Sequence, residues 1–189
     1  SSFDVTAGYD YQYWKSTTPL YSEMNTLGEI QKTSKASDER HVLLSYYGRL
    51  NYSFNSRYML TTTVRRDATS RFAKNVRWGT FPSVALGWRV TEESFLKDNK
   101  VISTLKVRAS YGVTGQQDGI GNYNYLPIYT ISQSGAGSLI GGTPTPTYRP
   151  KAYVPNLKWE TTTSWNVGFD FGFLKDRITG SFDYYTRQT

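Results

Sequence analysis

Cysteine is absent from this chain, so a disulfide framework, a thiolate metal site and a cysteine nucleophile are all excluded. Histidine is nearly absent. His41 stands alone, so any Ser-His-Asp chemistry would depend on that one imidazole. No apolar run reaches the roughly 18 residues of a transmembrane helix. The opening residues Ser1-Ser2-Phe3-Asp4 lack the basic and apolar regions of a signal peptide. Acidic residues are outnumbered 15 to 22, and the resulting charge of +7 permits an anionic partner without demanding one. Aromatic residues are abundant instead. They make up 16% of the 189 residues, as 16 Tyr, 9 Phe and 5 Trp. That share excludes disorder and points to strands, interfaces or membrane boundaries.

Seven stretches alternate with the period of two that puts successive side chains on opposite faces of a strand. The apolar sides are Phe3–Tyr13, Leu44–Phe54, Tyr58–Val64, Val84–Val90, Leu105–Val113, Trp165–Phe173 and Ile178–Tyr184, each read at alternate positions. Within those bounds they hold no charge. The opposite sides hold Asp4, Asp10, Arg49, Arg65, Arg89, Lys106, Arg108, Asp170, Asp183 and Arg187. An antiparallel all-β chain follows.

Alternation alone is compatible with a soluble sandwich, whose apolar face packs inward, and with an outer-membrane barrel, whose apolar face meets lipid. Three features favour the barrel. The runs approach the 9–11 residues or so of a membrane strand, the fourth if it starts near Trp78. Tyr and Trp gather towards strand ends, as interfacial girdles require. Short links (Asn55-Ser56, Leu174–Arg177) alternate with long ones (Ser16–Arg40, Asp67–Arg77, Gly115–Thr163), as periplasmic turns and extracellular loops do. The remaining link, Thr91–Thr104, reads as a turn with one short helix, its cap and acidic first turn at Thr91-Glu92-Glu93-Ser94 and its end near Asp98. The expected fold is therefore all-β, a segment of a large antiparallel transmembrane β-barrel with about seven strands and one short periplasmic helix. Seven strands leave two unpaired edges, which lipid does not tolerate, so the chain reads as a slice of a larger barrel.

Tyr46–Phe72, Trp78–Asp98, Leu105–Tyr123 and Leu157–Arg187 resemble the SusC/RagA family of TonB-dependent outer-membrane transporters. Where that family often has Arg-x-Asp-Gly-Ser-Ser-Arg-Phe, this chain has Arg65-Arg66-Asp67-Ala68-Thr69-Ser70-Arg71-Phe72. The resemblance implies a barrel of about 22 strands, a plug and a TonB-engaging segment. It also implies a SusD-like lipoprotein lid, an oligosaccharide or peptide cargo, outer-membrane lipid as solvent and a homodimer of the full transporter. Residues 1–189 would be partial barrel, without the plug and the TonB-engaging segment. No cofactor, metal or nucleic-acid partner is implied.

Candidate chemistry is sparse. His41, where a long link re-enters a strand, reads as a solvated loop-edge residue. Glu92-Glu93 cannot converge on one bond as a glycosidase pair must. Gly112–Gly121 lacks the Lys-Ser/Thr ending of a phosphate loop. The lumenal cations Arg49, Arg65, Arg89, Lys106 and Arg108 either receive an anionic ligand or pair with Asp4, Asp10, Asp170, Asp183 and the plug. The expected contact surface is the long link after Gly115. It is Gly/Ser/Thr/Pro-rich over Ser132–Thr147 but carries Tyr123, Tyr125, Tyr129, Tyr148, Tyr153 and Trp159. These rings suit cargo or a lid protein, or else pack on neighbouring loops.

Overall fold

The computed structural model describes residues 1–97, 99–131 and 138–189, with the side chain of Pro144 left out. Each alternating run becomes a long strand: β1 (Ser2–Thr18), β4 (Ser37–Phe54), β5 (Tyr58–Thr69), β6 (Trp78–Arg89), β7 (Ile102–Gln116), β12 (Glu160–Phe173) and β13 (Ile178–Gln188). They form one antiparallel sheet in the order β1-β4-β5-β6-β7-β12-β13, so every strand lies beside its nearest long neighbour in sequence. Six short strands decorate the links. They are β2 (Tyr21–Met24), β3 (Ile30–Ser34), β8 (Tyr129–Ile131), β9 (Ser138–Ile140), β10 (Thr143–Thr145) and β11 (Tyr148–Pro150), paired as β2–β3, β8–β11 and β9–β10.

The register keeps the two faces separate across the whole sheet. One continuous row runs Phe3–Tyr52–Leu60–Leu86–Ala109–Val167–Tyr184, and another runs Trp88–Val107–Phe169–Phe182. A shift of one residue would turn a whole strand's apolar set onto the polar face, so this agreement fixes the register. The apolar face stays open. Tyr9, Leu86, Trp165, Val167 and Phe182 are all exposed, and no second large sheet packs on them among the described residues. Phe169, Phe171 and Phe173 ladder along that face, with ring centroids 5.5–6.0 Å apart. Phe169 is exposed and Phe171 and Phe173 are half-buried, with no second layer closing over them among the described residues.

The links are strained where they are short. The β4–β5 link is three residues, Asn55-Ser56-Arg57; Asn55 and Ser56 both take positive φ, and the Arg57 amide donates to the Phe54 carbonyl at 3.0 Å. Leu174, Lys175 and Asp176 also all have positive φ, at 54°, 60° and 59°. That turn is pinned from β7: the Asp176 amide donates to Ser103 Oγ at 3.2 Å, and Thr104 Oγ1 donates to Asp176 Oδ1 at 3.1 Å. The expected helix is only a single 3₁₀ turn, Val90–Glu92, followed by non-helical turns. Arg89 rather than Thr91 occupies its cap position, with no side-chain cap bond, and Asp98 lies outside the described residues. The acidic side chain goes elsewhere. Glu93 accepts from Tyr58 Oη at 2.6 Å, Trp88 Nε1 at 3.1 Å and Arg57 Nη1 at 3.3 Å, which fastens two neighbouring turns together.

Candidate functional site: a charged lumenal face and a pinned outer loop

On the polar face the charges sort into two groups. Arg108 grips Asp170 through both Nε (3.1 Å) and Nη2 (2.9 Å), and Nη2 also reaches Asp183 at 3.1 Å. This planar donor fork joins three adjacent strands. Gly168 leaves room for it, because a Cβ there would collide with the Asp183 carboxylate. Arg65 pairs with Asp67 at 2.9 Å and reaches Ser45 Oγ, which is buried. Among the described residues Arg49 donates only to Thr63 Oγ1. Asp4 accepts from Asn51 and Asp10 from Gln12, so among the described residues neither aspartate joins the basic network. Arg89 and Lys106 stand directly opposite each other on β6 and β7. Lys106 also faces Asp170 on β12, but that carboxylate is held by Arg108, and among the described residues neither Arg89 nor Lys106 makes an ion pair. The sheet therefore neutralises one part of its lumenal charge and leaves another part open.

The end of the sheet with the long links has a core of its own. Phe72 is fully buried, and Trp159 meets both Phe72 and Phe81 edge to face, with ring centroids 5.5 Å and 5.3 Å away. Leu43, Val76, Val113, Ile120 and Leu157 pack around them. Gly115 is required here, since a Cβ would run into the Phe81 ring. Trp159 donates from Nε1 to the Arg77 carbonyl at 2.9 Å. The sequence grouped Trp159 with the contact-making aromatics, but the structure buries it, and its role is to anchor the returning end of the long link.

The other aromatics of that link divide by exposure. Tyr129, Tyr148 and Tyr153 are exposed, Tyr125 is half-buried, and Tyr123 accepts the Arg40 amide at 3.3 Å through its hydroxyl. The link is not structureless. β8 pairs with β11 so that Tyr129 faces Pro150 and Tyr148 faces Ile131, and β9 and β10 close a hairpin over Gly141-Gly142. Of Ser132–Thr147, residues 132–137 lie outside the described residues.

Sequence reasoning missed a polar tie at the same end. Arg71 donates to Asn122 Oδ1 (3.1 Å) and to the Gln117 carbonyl (3.1 Å), and Asn122 in turn donates to Glu39 (3.1 Å). Glu39, Asn122, Tyr123, Leu126, Ile128 and Lys151 line a cleft of about 260 Å³. The reason for the omission is that β4 begins at Ser37 rather than near Leu44, so Glu39, Arg40 and His41 belong to a strand. His41 stacks face to face on Trp14 at 4.1 Å, half-buried, and is not a loop-edge residue.

A single antiparallel sheet with a lipid-suited outer face, a charged inner face, short turns at one end and folded loops at the other is part of an outer-membrane β-barrel. A family model described as TonB dependent receptor-like, beta-barrel, matches residues 2–189, and the chain belongs to that family. It is 55% identical to the TonB-dependent receptor SusC of Bacteroides thetaiotaomicron over its full length, covering 19% of that protein. It is 32% identical to TonB-dependent receptor P39 of Formosa agariphila over 97% of the chain and 18% of that protein. Its fold matches the RagAB peptide transporter with a TM-score of 0.77 at 24% identity, over 98% of this chain and 21% of that one. The chain thus spans about a fifth of the length of the relatives it matches.

Proposed function

We propose that these seven strands are part of the barrel of an energised outer-membrane importer of the SusC/RagA type, which takes up oligosaccharide or peptide. The observation that carries this reading is the register-wide separation of an open apolar face from a charged face, in a chain 55% identical to SusC. In the full protein, the remainder of the chain supplies the plug and the segment that TonB engages. A SusD-like lipoprotein closes the extracellular mouth. The protein binds and moves its cargo and makes or breaks no covalent bond in it. Lumen-facing Arg49, Arg89 and Lys106 await an anionic partner, while Arg65 and Arg108 are held by Asp67, Asp170 and Asp183. Tyr129, Tyr148 and Tyr153, held out on a folded and anchored loop, offer flat faces to cargo or lid.

The test is the triple substitution Tyr129→Ala, Tyr148→Ala and Tyr153→Ala in the full transporter. Uptake or lid affinity is expected to fall about ten-fold, with the amount of assembled barrel in the outer membrane unchanged. Wild-type uptake and wild-type lid affinity in that variant would remove the loop from the cargo path.

A further inference from the structure

We propose that Arg66, seated against Trp78 on the lipid-facing side of the barrel, binds the phosphate of an outer-leaflet lipid headgroup. This rests on the barrel reading above, with the long links at the extracellular end.

The alternation places Arg66 on the apolar face with Tyr58, Leu60, Thr62 and Val64, and the register sets it between Tyr46 on β4 and Thr80 on β6. The sequence runs stopped at Val64, so this charge was not counted there. Other charges on this face, Lys15, Asp38 and Arg40, lie farther out on β1 and β4, and Asp38 pairs with both cations. Arg66 has no carboxylate partner among the described residues. Its guanidinium lies 5.0 Å from the centre of the Trp78 ring, and Trp78 stacks on Tyr46 at 6.2 Å.

Its depth follows from β6. Trp78 and Trp88 lie on the same face, at opposite ends of the strand and ten residues apart. That spacing is about 33 Å along a strand, or about 25 Å of height at a tilt near 40°, which is the height of the apolar band of such barrels. Trp88, with Tyr58 and Phe54, marks the periplasmic girdle, and Trp78 marks the extracellular one. Arg66 therefore stands at the outer headgroup boundary, where an arginine on a lipid face is tolerated best. With the ring covering one side of the guanidinium, its edge donors remain free, and their fork geometry fits a phosphate. Arg65, one residue earlier and on the other face, has its charge met by Asp67. For Arg66 the partner must come from the lipid, because the neighbouring Tyr46 and Val64 face hydrocarbon.

The experiment uses the full transporter in detergent, wild type and Arg66→Ala, incubated with lipid A, with dephosphorylated lipid A, or with inorganic phosphate. Bound lipid is read by native mass spectrometry and barrel assembly by heat-modifiable gel mobility. The expected result is retention of lipid A that falls about ten-fold in Arg66→Ala, with Arg66→Lys intermediate and gel mobility unchanged. Equal retention by wild type and Arg66→Ala would overturn the proposal, as would equal retention of the dephosphorylated lipid. Arg66-dependent retention of inorganic phosphate with none of lipid A would make this a free-anion site and also overturn it. Failure of the barrel reading itself would show separately, as loss of heat-modifiable mobility in the wild type.

Discussion

Glu93 illustrates how far a single side chain's role can lie from its sequence neighbourhood. In the string Thr91-Glu92-Glu93-Ser94 it reads as part of an acidic helix start, yet its carboxylate collects a phenol, an indole and a guanidinium from β5, β6 and the turn between β4 and β5. The Tyr58 hydrogen bond, followed by that from Trp88, holds the Glu93 carboxyl below the ordinary glutamate value of 4.5. A carboxyl lowered on folding adds stability above its unfolded pKa and loses it as pH falls from 4.5 through the folded value. The unfolding midpoint of the full transporter should therefore drop on acidification through that window. The Glu93→Gln variant should start lower and show a shallower drop. Parallel pH profiles for the two proteins would show that Glu93 does not supply the effect. The pair Arg65 and Arg66 is the opposite case. Their opposite faces were legible from alternation alone, once the strand was known to run past Val64.

At the scale of elements, the centres of the strands were legible and their ends were not. Period-two apolarity located all seven long strands because lipid on one side and a lumen on the other impose it on every residue. Beyond the membrane that constraint vanishes, and pairing continues through Lys15–Arg40 and Thr17–Asp38 without any alternation to read. The same loss hid the short hairpins of the links. Turn strain was equally hidden. Asn55 tolerates positive φ, but Leu174, Lys175 and Asp176 adopt it under constraint from Val101, Ser103 and Thr104. Lys175→Gly should relieve one of these residues and raise stability by about 0.5–1 kcal/mol, whereas Asn55→Gly should be near neutral. Urea unfolding of both variants would check this, and destabilisation by Lys175→Gly would mean the turn is not strained.

At the scale of the whole molecule, the interior is a small cluster and most large apolar side chains face outward. Phe72, Phe81 and Trp159 are buried, while Leu86, Trp165, Val167 and Phe182 are exposed. In water this would be an aggregation surface, but in a bilayer it is the solvated side. Tryptophan quenching by brominated lipid separates the two environments. In full transporters retaining a single tryptophan, Trp165 should be strongly quenched and Trp159 should not. Equal quenching would contradict the assignment of faces.

The sequence by itself determined the strand class and the two faces, because these depend on residue type at every second position, and strand length, aromatic placement and link lengths then favoured lipid for the apolar face. Its long ordered strings also identified the family. Tertiary structure alone decided which charges are satisfied, since Arg108 meets Asp170 and Asp183 across strands far apart in sequence. It also turned Trp159 from a contact candidate into an anchor, and it set Arg66 against Trp78. The physical reason is that alternation is a local property of one strand, whereas pairing, burial and stacking depend on register between strands.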